Sequence, residues 1–216
     1  MKVNRDMVIR AGLKLLNDVG LERLTLRLLG RELKIQAATV YWHFRSKEEL
    51  IDAMATMVLA EGAALLIPAK DSIDWGVWAA SFGTGLRRTL LAYRDGARMV
   101  AGTRLTDTTY MKAAERIAAK VIESGFTVRQ TVVLLSTIYN YTLSFVMEEQ
   151  AVFPRPGKRS AQYNVKERNA MLDRGGLPIL RQAGAILFDQ FDRRYREGLN
   201  LILQGAQHSH GRKRAR

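Results

Sequence analysis

Apolar residues recur every three or four positions along most of this chain, and no strong stretch alternates with period two. The pattern predicts an all-α protein. Val8, Gly12, Leu15, Leu16 and Val19 stand at spacings of four, three, one and three, which is one stripe of a helix. Asn4 is its expected N-cap and Gly20 its stop, with Leu21 closing the end hydrophobically. Thr25 caps a second helix whose Leu29 and Leu33 face inward, and Lys34 and Ile35 make a tight turn. A third helix is expected over about 37–44. Ser46 and Glu49 have the capping-box spacing and open a fourth helix, from Lys47 to about Leu66, which Pro68 ends.

A second set of helices follows. Asp71 or Ser72 is the expected cap of a helix carrying Trp75, Trp78, Phe82 and Leu86 and reaching about Tyr93. Arg94-Asp95-Gly96 breaks it; a short helix over about 95–101 and a loop to Asp107 come next. Two further helices are expected, about 108–124 (ended by Gly125) and from Thr127 to about Val152. Phe153 to Gly176 is polar, holds two of the four prolines, and reads as a mobile loop. A last helix is expected over about 183–205, with Ile186, Leu187, Phe191, Tyr195, Leu199 and Leu203 on it, before a disordered basic tail at 207–216. The expected organisation is a head at 1–46, a linking helix at 47–66 and a larger helical domain at 67–206.

With 47% hydrophobic residues in 216, a sizeable core is within reach and wholesale disorder is excluded. The charge changes the picture more. Thirty-four Lys and Arg face 21 Asp and Glu, a net +13 that points to a polyanionic partner. Ten of those cations lie in the first fifty residues, and Gly211–Arg216 carries four more. The absence of cysteine excludes disulfides, thiolate metal sites and thiol nucleophiles. No apolar run approaches the roughly 20 residues of a membrane span, and no apolar leader opens the chain, so a cytoplasmic protein is expected.

The third helix carries the most informative chemistry. A solvated helix face normally holds Lys and Glu; here Tyr41, Trp42 and His43 stand in a row. Two short helices joined by a tight turn, the second one rich in hydrogen-bonding side chains, fit the major groove of DNA. Thr39 and His43 suit a phosphate or a base edge, and Tyr41 a phosphate and a thymine methyl. Lys47, at the next helix N-terminus, suits a phosphate. Arg27 can fork onto guanine, and Gln36 and Ala37 lead the reading helix. Val40 and Phe44, four apart, belong to the core.

Residues 4–50 resemble the DNA-binding domain of the tetracycline repressor (TetR) family through Leu24-Thr25, Arg27, Leu29, Glu32-Leu33, Ile35, Thr39 to Phe44 and Ser46 to Leu50. Tyr41-Trp42-His43 looks like the tetracycline repressor subgroup, and Tyr93 to Ala97 with Gly102-Thr103-Arg104 continues the likeness. The resemblance implies a helix-turn-helix head on a helical ligand-binding and dimerisation domain. It also implies a homodimer whose heads enter successive major grooves of a pseudo-palindromic double-stranded operator, about 34 Å apart. By position, Arg27, Thr39, Tyr41, Trp42, His43 and Lys47 match the family's DNA contacts. Ala37 and Ala38 replace a Gln-Pro pair, so the operator sequence should differ. Lys34 replaces the usual Gly of the turn, where a left-handed backbone costs on the order of 1 kcal/mol.

The implied function is a transcriptional repressor released by a small-molecule effector. Where tetracycline repressors use His and Asn for the drug and a His for its metal, this chain has Ala63, Phe82 and Val100; Leu86 stands for a pocket Phe, and Thr103 is retained. An apolar effector without an obligatory metal or cofactor is therefore expected, lined by Phe82, Leu86, Val100, Thr103, Arg116, Tyr139, Asn140 and Glu148. Asn140 and Glu148 lie on an otherwise apolar helix, where buried polar groups would need partners. Two other readings exist. A basic, nonspecific nucleic-acid binder or interaction protein would use the tail. An enzyme has little to work with: three histidines, adjacent rather than facing Glu148 and Glu149, and no Gly-rich phosphate loop.

Overall fold

The computed structural model describes residues 3–155 and 157–214, the last five of these by backbone alone. Among the described residues every regular element is helical, apart from an isolated bridge between Arg155 and Lys158. The helices are α1 (Arg5–Val19), α2 (Leu26–Glu32), α3 (Ala37–His43), α4 (Lys47–Gly62), α5 (Trp75–Leu91), α6 (Gly96–Val100), α7 (Thr109–Glu123), α8 (Val128–Val152), α9 (Val165–Arg174), α10 (Pro178–Asp189) and α11 (Phe191–Arg214); a 3₁₀ turn, Ala63–Leu66, extends α4.

The three caps read from the sequence in the head form. Asn4 accepts the Met7 N–H, Thr25 that of Leu28 and Ser46 that of Glu49. Each satisfies one of the donors a helix leaves orphaned at its start. Glu49 reaches back one residue further than the capping box requires, to the Arg45 N–H at 2.8 Å. Thr127 and Gln130 close a reciprocal cap ahead of α8. Gly20 ends α1 at φ 81°, a conformation only glycine adopts freely.

The chain divides into two compact units, one running to Val146 and the other beginning at Met147. In the first, α1 to α4 form the head, and α4 also packs against α5, α6 and α7. Its core is continuous, from Leu16, Leu24, Leu29, Val40 and Phe44 through Leu50 and Met54 to Trp78, Leu86, Leu90 and Met99. On α8, Thr131, Leu134, Ile138, Thr142 and Val146 are buried, at spacings of three and four. In the second unit, arginines stitch the elements together. Arg168 donates to Leu180 O, Arg181 pairs with Asp173 at 2.7 Å, and Arg159 pairs with Asp189 and lies over the Phe153 ring.

Four expectations are corrected. The 153–176 segment is not all loop, because Asn164 caps α9 through two backbone N–H groups. That helix hid because it buries only Leu172, so its sequence carries no apolar stripe. The single last helix is two: Pro178 starts α10 and the chain breaks at Gln190. Ile186 and Leu187 accordingly sit on α10, exposed, and not on the helix of Tyr195 and Leu199. The cap of α5 is Asp74; Ser72 instead accepts the Trp78 indole N–H. Finally, the tail expected to be disordered from Gln207 continues α11 to Arg214; Ala215 and Arg216 lie outside the described residues.

Candidate functional site

Helix α3 exposes the side chains that the sequence singled out. Within it only Val40 is buried; Phe44, just past its end, is buried as well. The opposite side carries Gln36, Thr39, Tyr41 and Trp42 in solvent, Trp42 at 81% exposure, with Ala37 and His43 half-buried. The Trp42 and His43 rings meet edge-on, their centroids 4.8 Å apart. Arg27, on α2, is exposed as well. Lys34 adopts φ 56° in the turn between the two helices, the left-handed conformation that its Gly-like position implies. Lys47 departs from expectation in part: its ammonium donates to Leu21 O at 2.7 Å and Glu22 O at 3.3 Å. An ammonium has three donors, so this bond pins the side chain and leaves one N–H for a phosphate.

Arg5, which sequence reasoning missed, and Glu49, which it read only as a capping-box residue, grip the end of α3. Arg5 donates to His43 O at 2.6 Å, and Glu49 pairs with Arg5 at 3.3 Å. The Arg45 N–H, with Arg5 helping, holds the Glu49 carboxyl below the usual carboxylate range despite some desolvation. Nothing in the sequence links Arg5 to His43, 38 residues away.

A polar latch joins the head to the helices that follow. Asp95, left-handed at φ 55°, accepts the Leu21 N–H at 2.9 Å. The Arg94 N–H donates to the Asn17 side chain at 2.8 Å, and the Arg94 guanidinium to Asp18 O at 3.0 Å. Arg98 pairs with Glu22 at 3.1 Å. Beyond α6, the Arg104 N–H reaches Asp52 and the Thr106 N–H reaches Thr56, both on α4 and both at 3.0 Å. The turn after α1 and the body of α4 are thus bonded to residues on either side of α6.

The expected effector-lining residues separate into two groups. Phe82, Leu86 and Val100 are buried, Thr103 and Tyr139 half-buried. Arg116, Asn140 and Glu148 are exposed in the single chain, and Arg116 stacks over the Trp78 ring at 5.4 Å. The premise that Asn140 and Glu148 are buried polar groups is therefore corrected: both lie on the wet side of α8. Tyr110, on α7, was not singled out. Burial pushes its phenol well above its ordinary range, with the neighbouring Tyr139 adding to the effect, and Tyr139 is itself raised by burial. Among the described residues no three His, Cys, Asp or Glu side chains gather into a metal-holding group, and no helix is long and apolar enough to cross a membrane.

A helix-turn-helix head with an exposed aromatic reading face, bonded to an all-helical second part, defines a DNA-binding transcriptional regulator. Comparison with known proteins gives the family. Residues 8–54 match the model of bacterial regulatory proteins of the tetR family, and residues 67–209 match the tetracyclin repressor-like C-terminal domain. The chain is 36% identical to the class A tetracycline repressor protein from transposon 1721 of Escherichia coli, over 94% of its own length and 90% of that protein's. A possible TetR family regulator from Streptomyces coelicolor A3(2) superposes with a TM-score of 0.84 at 29% identity, covering 95% of this chain and 100% of that one. A TetR(class A) structure with 5a,6-anhydrotetracycline and magnesium superposes at 0.69 with 33% identity, covering 96% and 99%. The chain belongs to the TetR family: it is a ligand-responsive, DNA-binding transcriptional repressor and not an enzyme.

Proposed function

We propose that this protein represses transcription as a homodimer on a pseudo-palindromic operator and releases it when a small, largely apolar, metal-free effector binds among α5 to α8. The observation that carries the DNA half is the solvent-facing row on α3. Arg27, Gln36, Ala37, Thr39, Tyr41, Trp42, His43 and Lys47 are its proposed contacts. The dimer is supported by the exposed face of α8, where Val128, Val132, Val133 and Met147 stand in solvent in the single chain. Asn140 and Glu148 share that exposed side, which suits a partner helix as well as an effector. A cytoplasmic location follows from a DNA target.

The structure of a class A relative holds a tetracycline derivative with magnesium. The corresponding residues here do not fit that pair. Ala63, Phe82, Leu86 and Val100 are all buried and offer neither oxygen nor nitrogen to a cation. An apolar recess with few polar groups suits an uncharged organic molecule. The latch between α6 and the α1 turn supports a two-state coupling, in which the effector prefers one head position. A coupling of about 1–3 kcal/mol changes operator affinity about 5–150-fold.

The test is a gel-shift titration on a duplex selected by the protein from a randomised pool. Binding should survive deletion of residues 207–216 and fall when Tyr41 or His43 becomes Ala. Tetracycline with Mg²⁺ should leave the complex intact, whereas an apolar compound that raises Tm in a thermal-shift screen should release it. Release by tetracycline only with Mg²⁺ present would overturn the effector assignment, and loss of binding on tail deletion alone would favour the nonspecific reading.

A further inference from the structure

A helix of seven residues with one buried side chain has little of its own to hold it at a fixed angle. The last carbonyls of such a helix also lack intrahelical donors. Arg5, the first residue of α1, addresses both. Its Nη1 donates to His43 O at 2.6 Å, and its guanidinium lies 4.1 Å from the centroid of the Phe44 ring. Nη1 and Nη2 both reach Glu49 Oε1 at 3.3 Å, and Glu49 Oε2 accepts the Arg45 N–H at 2.8 Å. Three consecutive residues at the end of α3 are therefore gripped by two side chains, one from α1 and one from α4.

We propose that Arg5 is a positioning residue for DNA reading: through His43 O, the Phe44 ring and Glu49 it fixes the angle of α3 without touching DNA. The inference rests on α3 being the reading helix. Two features separate this role from the alternatives. The ion pair is open to water, with 45% and 39% of the two side chains exposed, so it contributes little to folding. Three of the five guanidinium N–H groups point at protein acceptors, so most of its hydrogen bonding is spent within the head, and the salt slope below separates this from a phosphate contact. A planar fork can hold a carbonyl, a ring face and a carboxylate together, which an ammonium cannot.

The experiment compares wild type, Arg5→Ala, Arg5→Lys and Glu49→Gln on two duplexes, one selected by the wild-type protein from a randomised pool and one scrambled. Hydrogen exchange of the free proteins is followed in parallel. Arg5→Ala should lose roughly tenfold in affinity for the selected duplex, the share of one charge-assisted hydrogen bond in a fixed pose. Affinity for the scrambled duplex and the slope of log K against log salt should not change, since no phosphate contact is lost. Amides of residues 37–45 should exchange faster, and those of α4 beyond Leu50 should not. Arg5→Lys should recover little of the loss. Glu49→Gln should give a smaller loss, and a variant combining Arg5→Ala with Glu49→Gln should fall short of the sum. A slope reduced by about 0.9 with equal loss on both duplexes would make Arg5 a phosphate contact and overturn the proposal. Unchanged exchange at 37–45, or full recovery with Lys, would overturn it too. Wild-type protein with no preference between the duplexes overturns the DNA reading itself, and is told apart because the defect then exists before Arg5 is changed.

Discussion

In the head the side chains proposed to do the work stand in solvent, with Trp42 81% exposed, whereas in α5 and α6 Phe82, Leu86 and Val100 are packed away at 4%, 0% and 1%. The first arrangement breaks the usual solvation rule and so advertises a function. The second obeys it, because an apolar ligand site and an apolar core call for the same residue types. The two regions also differ in how they are built. In the head, side-chain caps at Asn4, Thr25 and Ser46 start α1, α2 and α4 around a core of Val40, Phe44, Leu29 and Leu50. The effector helices rely on close approach. A Cβ at Gly85 would lie 2.1 Å from Leu65 O, a backbone atom that cannot swing aside.

That contrast can be broken from either side. The largest effect should come from Phe44→Ala, which empties a fully buried ring position and removes the surface under Arg5. It should cost about 3–5 kcal/mol in urea unfolding, with operator binding lost as the head loosens. Next is Gly85→Ala, where a single methyl forces α5 away from the 3₁₀ turn. An overpacking cost of about 1–3 kcal/mol is expected, read as a lower Tm; an unchanged Tm would show that the helices do not depend on this approach. In the head, Lys34→Gly should do the opposite. It relieves a left-handed non-glycine residue and should raise stability by roughly 0.5–1 kcal/mol, after the extra freedom of glycine in the unfolded chain is counted.

The smallest effect is a pH dependence confined to the effector region. Tyr110 and Tyr139 have raised pKa values, so the folded protein keeps their protons where the unfolded chain, titrating near pH 10, has begun to lose them. Their contribution is full below about pH 10 and falls as pH rises through the folded values. Urea midpoints measured from pH 8 to 11 should decline in the wild type, and Tyr110→Phe should flatten the decline.

Much of the head was legible because its signals are local. An N-cap acts within three residues, a C-terminal glycine at one, and an amphipathic stripe within two turns, so Asn4, Gly20, Thr25 and Ser46 mark boundaries that the structure keeps. Helix α9 escaped because it buries a single leucine. The break between α10 and α11 escaped because the apolar spacing from Ile186 to Leu203 runs across it without interruption. The effector side chains were legible only as apolar residues; which of them are deeply buried and which face water required the packing.

The amino-acid order alone determined the all-helical class, the head with its aromatic row, and the left-handed turn at Lys34, because each depends on neighbours a few residues away. Tertiary structure decided that Arg5 braces His43 and Phe44, that Asp95 binds the α1 turn 74 residues away, and that Asn140 and Glu148 face outward. Those outcomes depend on which helix lies beside which. That choice is made by burying the whole core at once, and no short stretch of sequence encodes it.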